Sequence, residues 1–179
     1  LAEKATKESM KVYAITDRAW LNGRTLHEVT EEVLAAGATF LQIREKKLDE
    51  ATFLEEAKDL AQLAKKYHVP FVVNDNIEIA LACGADGIHV GQSDIVDKDV
   101  RAMIGPDKIL GISANTVETA VKAQESGADY IGVGAVFHTD TKKDAQSLTN
   151  EELLAICKAV TIPVVAIGGI NENNIMQLK

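Results

Sequence analysis

The chain has 179 residues, 46% hydrophobic and 26% charged, with 27 Asp and Glu against 19 Lys and Arg for a net charge of −8. That length suits one domain with a real core, and the composition excludes collagen, coiled coil and an unfolded polar chain. The acidic balance and an aromatic content of 4% argue against a general nucleic-acid binder, which needs a basic stripe and surfaces for stacking.

No apolar run approaches the ~20 residues of a membrane span, and the first residues lack the apolar core of an export signal. Cys83 and Cys157 match no CxxC pair. They read as buried free thiols of a reducing cytoplasm.

In chain order, an apolar run at 12–16 leads to a helix-period segment at 26–36, and a second run at 40–44 leads to a helix at 50–67. Runs at 71–74 and 87–90 follow, with helices expected near Ile77 and Asp97. The runs at 109–113, 130–134 and 164–168 enclose helices at 117–126 and 151–160, the last opened by the capping sequence Thr149-Asn-Glu-Glu. Most runs are continuously apolar, as in strands buried on both faces of a parallel sheet. Gly37, Gly84 and Gly127 stand where helix C-caps belong.

Such alternation means an α/β fold. No GxGxxG follows the first strand, which argues against a dinucleotide-binding sheet, so a (β/α)8 TIM barrel is preferred. Strand starts run from 12 to 164 in six intervals averaging about 25 residues, and eight units would need about 200. The expectation is therefore a single barrel domain over 1–179, C-terminally incomplete, with the eighth β/α unit missing. The polar connection 140–148 is a natural place for function.

Sites on such folds form at the carboxyl ends of the strands. There stand Thr16-Asp17, Gln42 through Lys46, Asn74-Asp75, His89 through Asp94, Ser113, His138 through Lys142 and Gly168-Gly169. Asp75 and Asp94 follow adjacent strands, and two hard carboxylates suit Mg2+, which completes its shell with phosphate oxygens. Each could instead cap the following helix. Arg44, Lys46 and Lys142 could clamp phosphate oxygens, although Glu45 could be a structural partner for Arg44. Lys143 reads as a solvated charge.

Gly168-Gly169 would let backbone N–H groups approach an anion, or simply make a tight turn. Gly132 and Gly134 read as close-packing residues, and His89 as a residue of the barrel interior. A Ser/His/Asp triad is not expected, because Ser113 has no evident base. The residues alone thus describe a barrel mouth for Mg2+ and phosphorylated small molecules.

The order Gln42-Ile-Arg-Glu-Lys46, Val73-Asn-Asp75, Gly87-Ile-His-Val-Gly-Gln-Ser-Asp94, Gly111-Ile-Ser113, Thr139-Asp-Thr-Lys-Lys-Asp144 and Val165-Ala-Ile-Gly-Gly-Ile170 resembles the thiamine-phosphate synthase family. The resemblance runs from Tyr13 to the end of the chain. It implies a Mg2+-dependent transferase that joins 4-amino-5-hydroxymethyl-2-methylpyrimidine diphosphate to a thiazole phosphate, or its carboxylated form, by dissociative loss of diphosphate.

The resemblance also implies site roles. Gln42, Ile43, Arg44, Glu45 and Lys46 would meet the pyrimidine diphosphate, Asn74 the pyrimidine, and Ser113 and Lys142 the diphosphate or pyrimidine. Thr139, Asp140, Thr141 and Gly169 would form the thiazole-phosphate site, and Asp75 and Asp94 would bind Mg2+. Arg44, Ser113 and Lys142 would be the catalytic groups. A homo-oligomer is compatible with this reading, and membrane or nucleic-acid partners are not expected.

His138 stands where the family usually has Pro, and Asn76 where Arg is common. The rival readings are a thiazole tautomerase on the same scaffold, which needs no Mg2+ or diphosphate apparatus, and a non-catalytic barrel that binds thiamine precursors.

Overall fold

Seven short, largely apolar strands lie side by side in chain order in one parallel sheet that curls into a nearly closed barrel. The computed structural model describes residues 5–95, 98–139 and 147–179. The strands are β1 Tyr13–Ile15, β2 Phe40–Ile43, β3 Phe71–Asn74, β4 Gly87–Val90, β5 Ile109–Ser113, β6 Tyr130–Val133 and β7 Val164–Ala166. The helices between them are α1 Leu26–Ala35, α2 Glu50–Lys66, α3 Ile77–Ala82, α4 Val100–Ile104, α5 Val117–Glu125 and α6 Asn150–Ala159. Among the described residues β1 pairs only with β2 and β7 only with β6, so seven units of the expected eight are present. No helix is long and apolar enough to cross a membrane among the described residues.

Because side chains alternate along a strand, each strand feeds two cores. Leu41, Ile43, Val73, Ile88, Ile112 and Ile131 join Phe53, Leu60 and Ile156 of the helices in the outer layer. Phe40, Val72, Ile109 and Tyr130 pack inside the barrel with Met10, against partly buried Tyr13 and Val165. These inner residues come from the first or second positions of their strands, so the amino end of the barrel is plugged. The Tyr13 and Phe40 rings stack with centroids 4.6 Å apart, and Tyr130 stands 5.8 Å from each. Burying each such ring stabilises the fold by roughly 2–3 kcal/mol. The carboxyl end is left for polar groups.

The helix starts follow local chemistry. Thr25 and Thr149 form capping boxes with Glu28 and Glu152, and Asp49 caps α2 through Thr52 N–H. The helix expected near Asp97 begins at Val100 with Asp99 as its N-cap. Asn76, not Asp75, caps α3, accepting from Ile79 N–H at 2.9 Å. The capping alternatives for Asp75 and Asp94 are thus both set aside.

Candidate functional site at the carboxyl rim

Parallel strands bring their carboxyl ends to one rim, and short local hydrogen bonds set how each chain segment leaves it. Past β1, Thr16 N–H donates to Gln42 O at 3.0 Å, while the Thr16 hydroxyl accepts Arg44 N–H at 2.9 Å. Arg44 therefore departs from a fixed point. Its half-buried guanidinium makes no ion pair or hydrogen bond among the described residues.

Glu45 is not the partner of Arg44. Its side chain is 6% exposed and is held by Arg18, whose Nε lies 3.0 Å from Oε1 and 3.1 Å from Oε2. The N–H is directed at Oε2, so Oε1 has a charge beside it but no hydrogen bond. Arg18 also holds Glu56. The turn after β1 places Arg18 where Arg44, the sequence neighbour, does not reach. Ile43 is fully buried in the outer layer, so its side chain belongs to the helix-facing core.

Lys46 extends from the same segment to the Asp75 carboxylate. Asp75 follows β3 with φ +63°, and its N–H donates to His89 O at 2.9 Å. Asp94 lies in a 3-10 turn, Gln92–Ile95, where its Oδ2 accepts Gly91 N–H at 2.8 Å. Gln92 Nε2 ties that turn to Ser113 O at 2.7 Å. Lys46 occupies one Asp75 oxygen and the Gly91 amide one Asp94 oxygen, so each carboxylate keeps a second oxygen. Two hard oxygen donors on adjacent loops fit Mg2+, which is usually held by one or two carboxylates with substrate phosphate oxygens completing the shell. Among the described residues no cluster of three or more His, Cys, Asp or Glu is present, so a cage made by protein alone is not the fit.

Below the rim, Gln42, Asn74 and His89 are buried, Asn74 beside His89 in the β3–β4 register. Gln42 Nε2 donates to the Tyr13 hydroxyl at 2.8 Å, which lies 2.6 Å from the Tyr130 hydroxyl. Tyr130 OH is 2.9 Å from His89 Nδ1, and His89 Nε2 is 2.9 Å from Ser113 Oγ. Ser113 thus has an imidazole partner that sequence reasoning did not assign. No triad results, because a phenol occupies the other ring nitrogen. Burial holds the pKa of both Tyr13 and Tyr130 above the ordinary phenol value. Tyr13 and Tyr130 were missed as polar members of the site. The available signal was period two: Gln42 shares the inward face of β2 with Phe40, as Ser113 shares that of β5 with Gly111.

At the far side of the rim, Gly168 and Gly169 have φ +101° and +66°. A Cβ on Gly169 would stand 2.3 Å from His138 O, so the glycine turn packs closely against the segment leading to half-buried Thr139. Asp140, Thr141, Lys142 and Lys143 lie outside the described residues. A groove of about 380 Å³ lined by Lys7, Met10, Cys157 and 160–164 sits at the opposite, amino end of the strands.

A parallel (β/α) barrel with polar groups gathered at its carboxyl rim has the architecture of a metabolic enzyme working on a small molecule at that mouth. The family model described as thiamine monophosphate synthase matches residues 12–179, and the chain belongs to that family. It is 54% identical over 168 residues to the thiamine-phosphate synthase of Clostridium tetani, covering 94% of this chain and 80% of that one. It is 49% identical over 174 residues to the thiamine-phosphate synthase of Ruminiclostridium cellulolyticum, covering 97% and 83%. The solved thiamine phosphate pyrophosphorylase from Pyrococcus furiosus superposes with a TM-score of 0.85 at 39% identity, over 95% of this chain and 80% of that chain.

Proposed function

We propose that this chain is a thiamine-phosphate synthase, joining 4-amino-5-hydroxymethyl-2-methylpyrimidine diphosphate to a thiazole phosphate and releasing pyrophosphate. The observation that carries the reading is the gathering of Arg44, Lys46, Asp75, Asp94 and Ser113 around one rim in a chain of this family. The C–O bond of the pyrimidine methylene breaks first, and its electron pair leaves with the diphosphate. The thiazole nitrogen lone pair then closes the new C–N bond on the resulting cation. Such a step needs no strong base; it needs charge stabilisation where the leaving group becomes more negative, and two substrates held in line.

Arg44, Lys46 and Lys142 supply positive charge for the diphosphate, and Ser113 a hydroxyl donor. Asp75 and Asp94 hold Mg2+, which when bound neutralises part of the diphosphate charge. Gln42 and Asn74 line the buried floor for the pyrimidine. The backbone of the 43–45 segment borders it, while the Ile43 and Glu45 side chains serve packing and the Arg18 pair. Thr139, Asp140, Thr141 and Gly169 receive the thiazole phosphate. Cys83 is half-buried and Cys157 exposed, so the expected burial holds for neither; as free thiols both suit a cytoplasmic location.

The test supplies both substrates with and without Mg2+ and measures thiamine phosphate and pyrophosphate. Product is expected only with Mg2+, and Asp75→Asn is expected to remove at least nine-tenths of it. A folded preparation that forms no product refutes the assignment.

A further inference from the structure

The hydrogen-bonded chain inside the barrel has a direction that follows from the donor inventory of its members. Its first group is an amide nitrogen, Gln42 Nε2, which only donates; its acceptor is the Tyr13 hydroxyl at 2.8 Å. A phenol has one proton. With Gln42 donating to it, Tyr13 has its own proton for its other neighbour, Tyr130 OH at 2.6 Å. Tyr130, accepting from Tyr13, in turn gives its proton to His89 Nδ1 at 2.9 Å. A ring nitrogen that accepts carries no proton, so neutral His89 bears its proton on Nε2 and donates to Ser113 Oγ at 2.9 Å. Ser113 then accepts from within, and its own hydroxyl proton points away from the ring.

We infer that Tyr13, Tyr130 and His89 form a one-way hydrogen-bond relay, starting at the Gln42 amide, that fixes His89 as the Nε2–H tautomer and turns the Ser113 hydroxyl proton toward the barrel mouth. Tyr13, Tyr130 and His89 are thereby positioning residues for whatever ligand Ser113 meets.

The opposite polarity fails at one joint. If His89 Nδ1 donated to Tyr130, Tyr130 would donate to Tyr13, and Tyr13 would receive two protons while its own lost its acceptor. A buried donor without a partner costs about 1–3 kcal/mol. An imidazolium at His89 meets the same obstacle. Both phenols are kept protonated by burial, which the relay requires. The setting also speaks against mere filling of space. Aliphatic side chains would pack the interior without desolvating four polar groups, whereas a fully satisfied polar chain specifies one arrangement. A Cβ on Gly111 would stand 2.3 Å from the Tyr130 hydroxyl oxygen, so the strand beside the relay leaves room for that oxygen.

The polarity stands on the distances, on the Gln42 amide nitrogen facing Tyr13 and on two protonated phenols. That the outward proton meets a diphosphate oxygen rests on the function proposed above, where an outward donor suits an anionic leaving group.

Nitrogen-15 NMR of the ligand-free protein tests the relay. The ring nitrogens of His89 are assigned by through-bond correlation to its own backbone amide, which separates it from the other three histidines. The expected spectrum has a protonated Nε2 and a bare Nδ1. In Tyr130→Phe the second tautomer appears, and kcat/KM for the pyrimidine diphosphate falls about tenfold, the effect of one hydrogen bond to a charged group. A protonated Nδ1 in the parent protein overturns the relay, as does a folded Tyr130→Phe with an unchanged His89 spectrum. The parent spectrum decides the polarity even where the variant fails to fold. A protonated Nε2 in a protein that makes no thiamine phosphate keeps the relay and removes the function.

Discussion

Replacing Gly111 by Ala adds a single methyl group at a crowded point of the barrel interior. The new Cβ would lie 2.1 Å from Tyr130 Cζ and 2.3 Å from its hydroxyl oxygen. Tyr130 is fully buried, with Phe40 and Tyr13 centroids at 5.8 Å and the His89 ring at 5.5 Å, so its ring has no open side to move toward. Overpacking of this kind costs about 2 kcal/mol. Moving the phenol also disturbs its hydrogen bonds to Tyr13 and His89, at about 1 kcal/mol each. The loss should therefore be about 4 kcal/mol, a large share of the ~5–15 kcal/mol that holds a typical domain. For a chain of this size that lowers Tm by about 10 °C. Thermal and urea unfolding followed by circular dichroism would measure it. A Gly111→Ala protein melting within about 2 °C of the parent would refute the packing argument.

Lys46→Met should separate binding from stability. The Lys46–Asp75 pair is partly exposed, at 49% and 36%, so unfolding should change by less than about 1 kcal/mol while KM for the diphosphate substrate rises severalfold; the reverse pattern would make the pair structural. Thr149→Ala removes the capping box of α6 and should cost about 1 kcal/mol in urea unfolding. Stability should fall as pH drops from about 5 toward 3. Glu28 is held below its usual pKa by the Thr25 amide, Glu31 by Lys66 and Asp49 by the Thr52 hydroxyl. A depressed carboxyl stabilises the fold above its unfolded pKa and loses that contribution as pH falls through the folded one. A urea midpoint that rises on acidification would contradict these assignments.

The strands were legible because burial on both faces leaves a continuous apolar signature, and β3, β4 and β5 begin and end where the residues imply. Edges were less so: the run at 164–168 yields a strand of only three residues, Val164–Ala166, because the following glycines turn the chain. The capping box at Thr149 was visible since its partners are three residues apart. Partners far apart in sequence were not. Nothing local indicates that Glu45 meets Arg18, or that Ser113 meets His89, until the barrel brings their strands together. Within the 42–46 motif a strand turns successive side chains to opposite faces, so the Ile43 side chain joins the helix-facing core and leaves its backbone for the role proposed for that motif. Asn76, which departs from the family pattern, has its own local task as the cap of α3.

The left-handed backbone of Asp75, at φ +63°, changes how that position can be interrogated. Asparagine and aspartate visit this region readily, whereas most other side chains incur about 1–2 kcal/mol there. Alanine scanning would therefore confound a loss of charge with a distortion of the loop that also receives Lys46. Asparagine keeps the shape and the backbone preference while deleting only the charge, and glycine keeps the backbone while deleting the whole side chain. Read as a pair, the two variants divide what the carboxylate contributes to chemistry from what the residue contributes to shape.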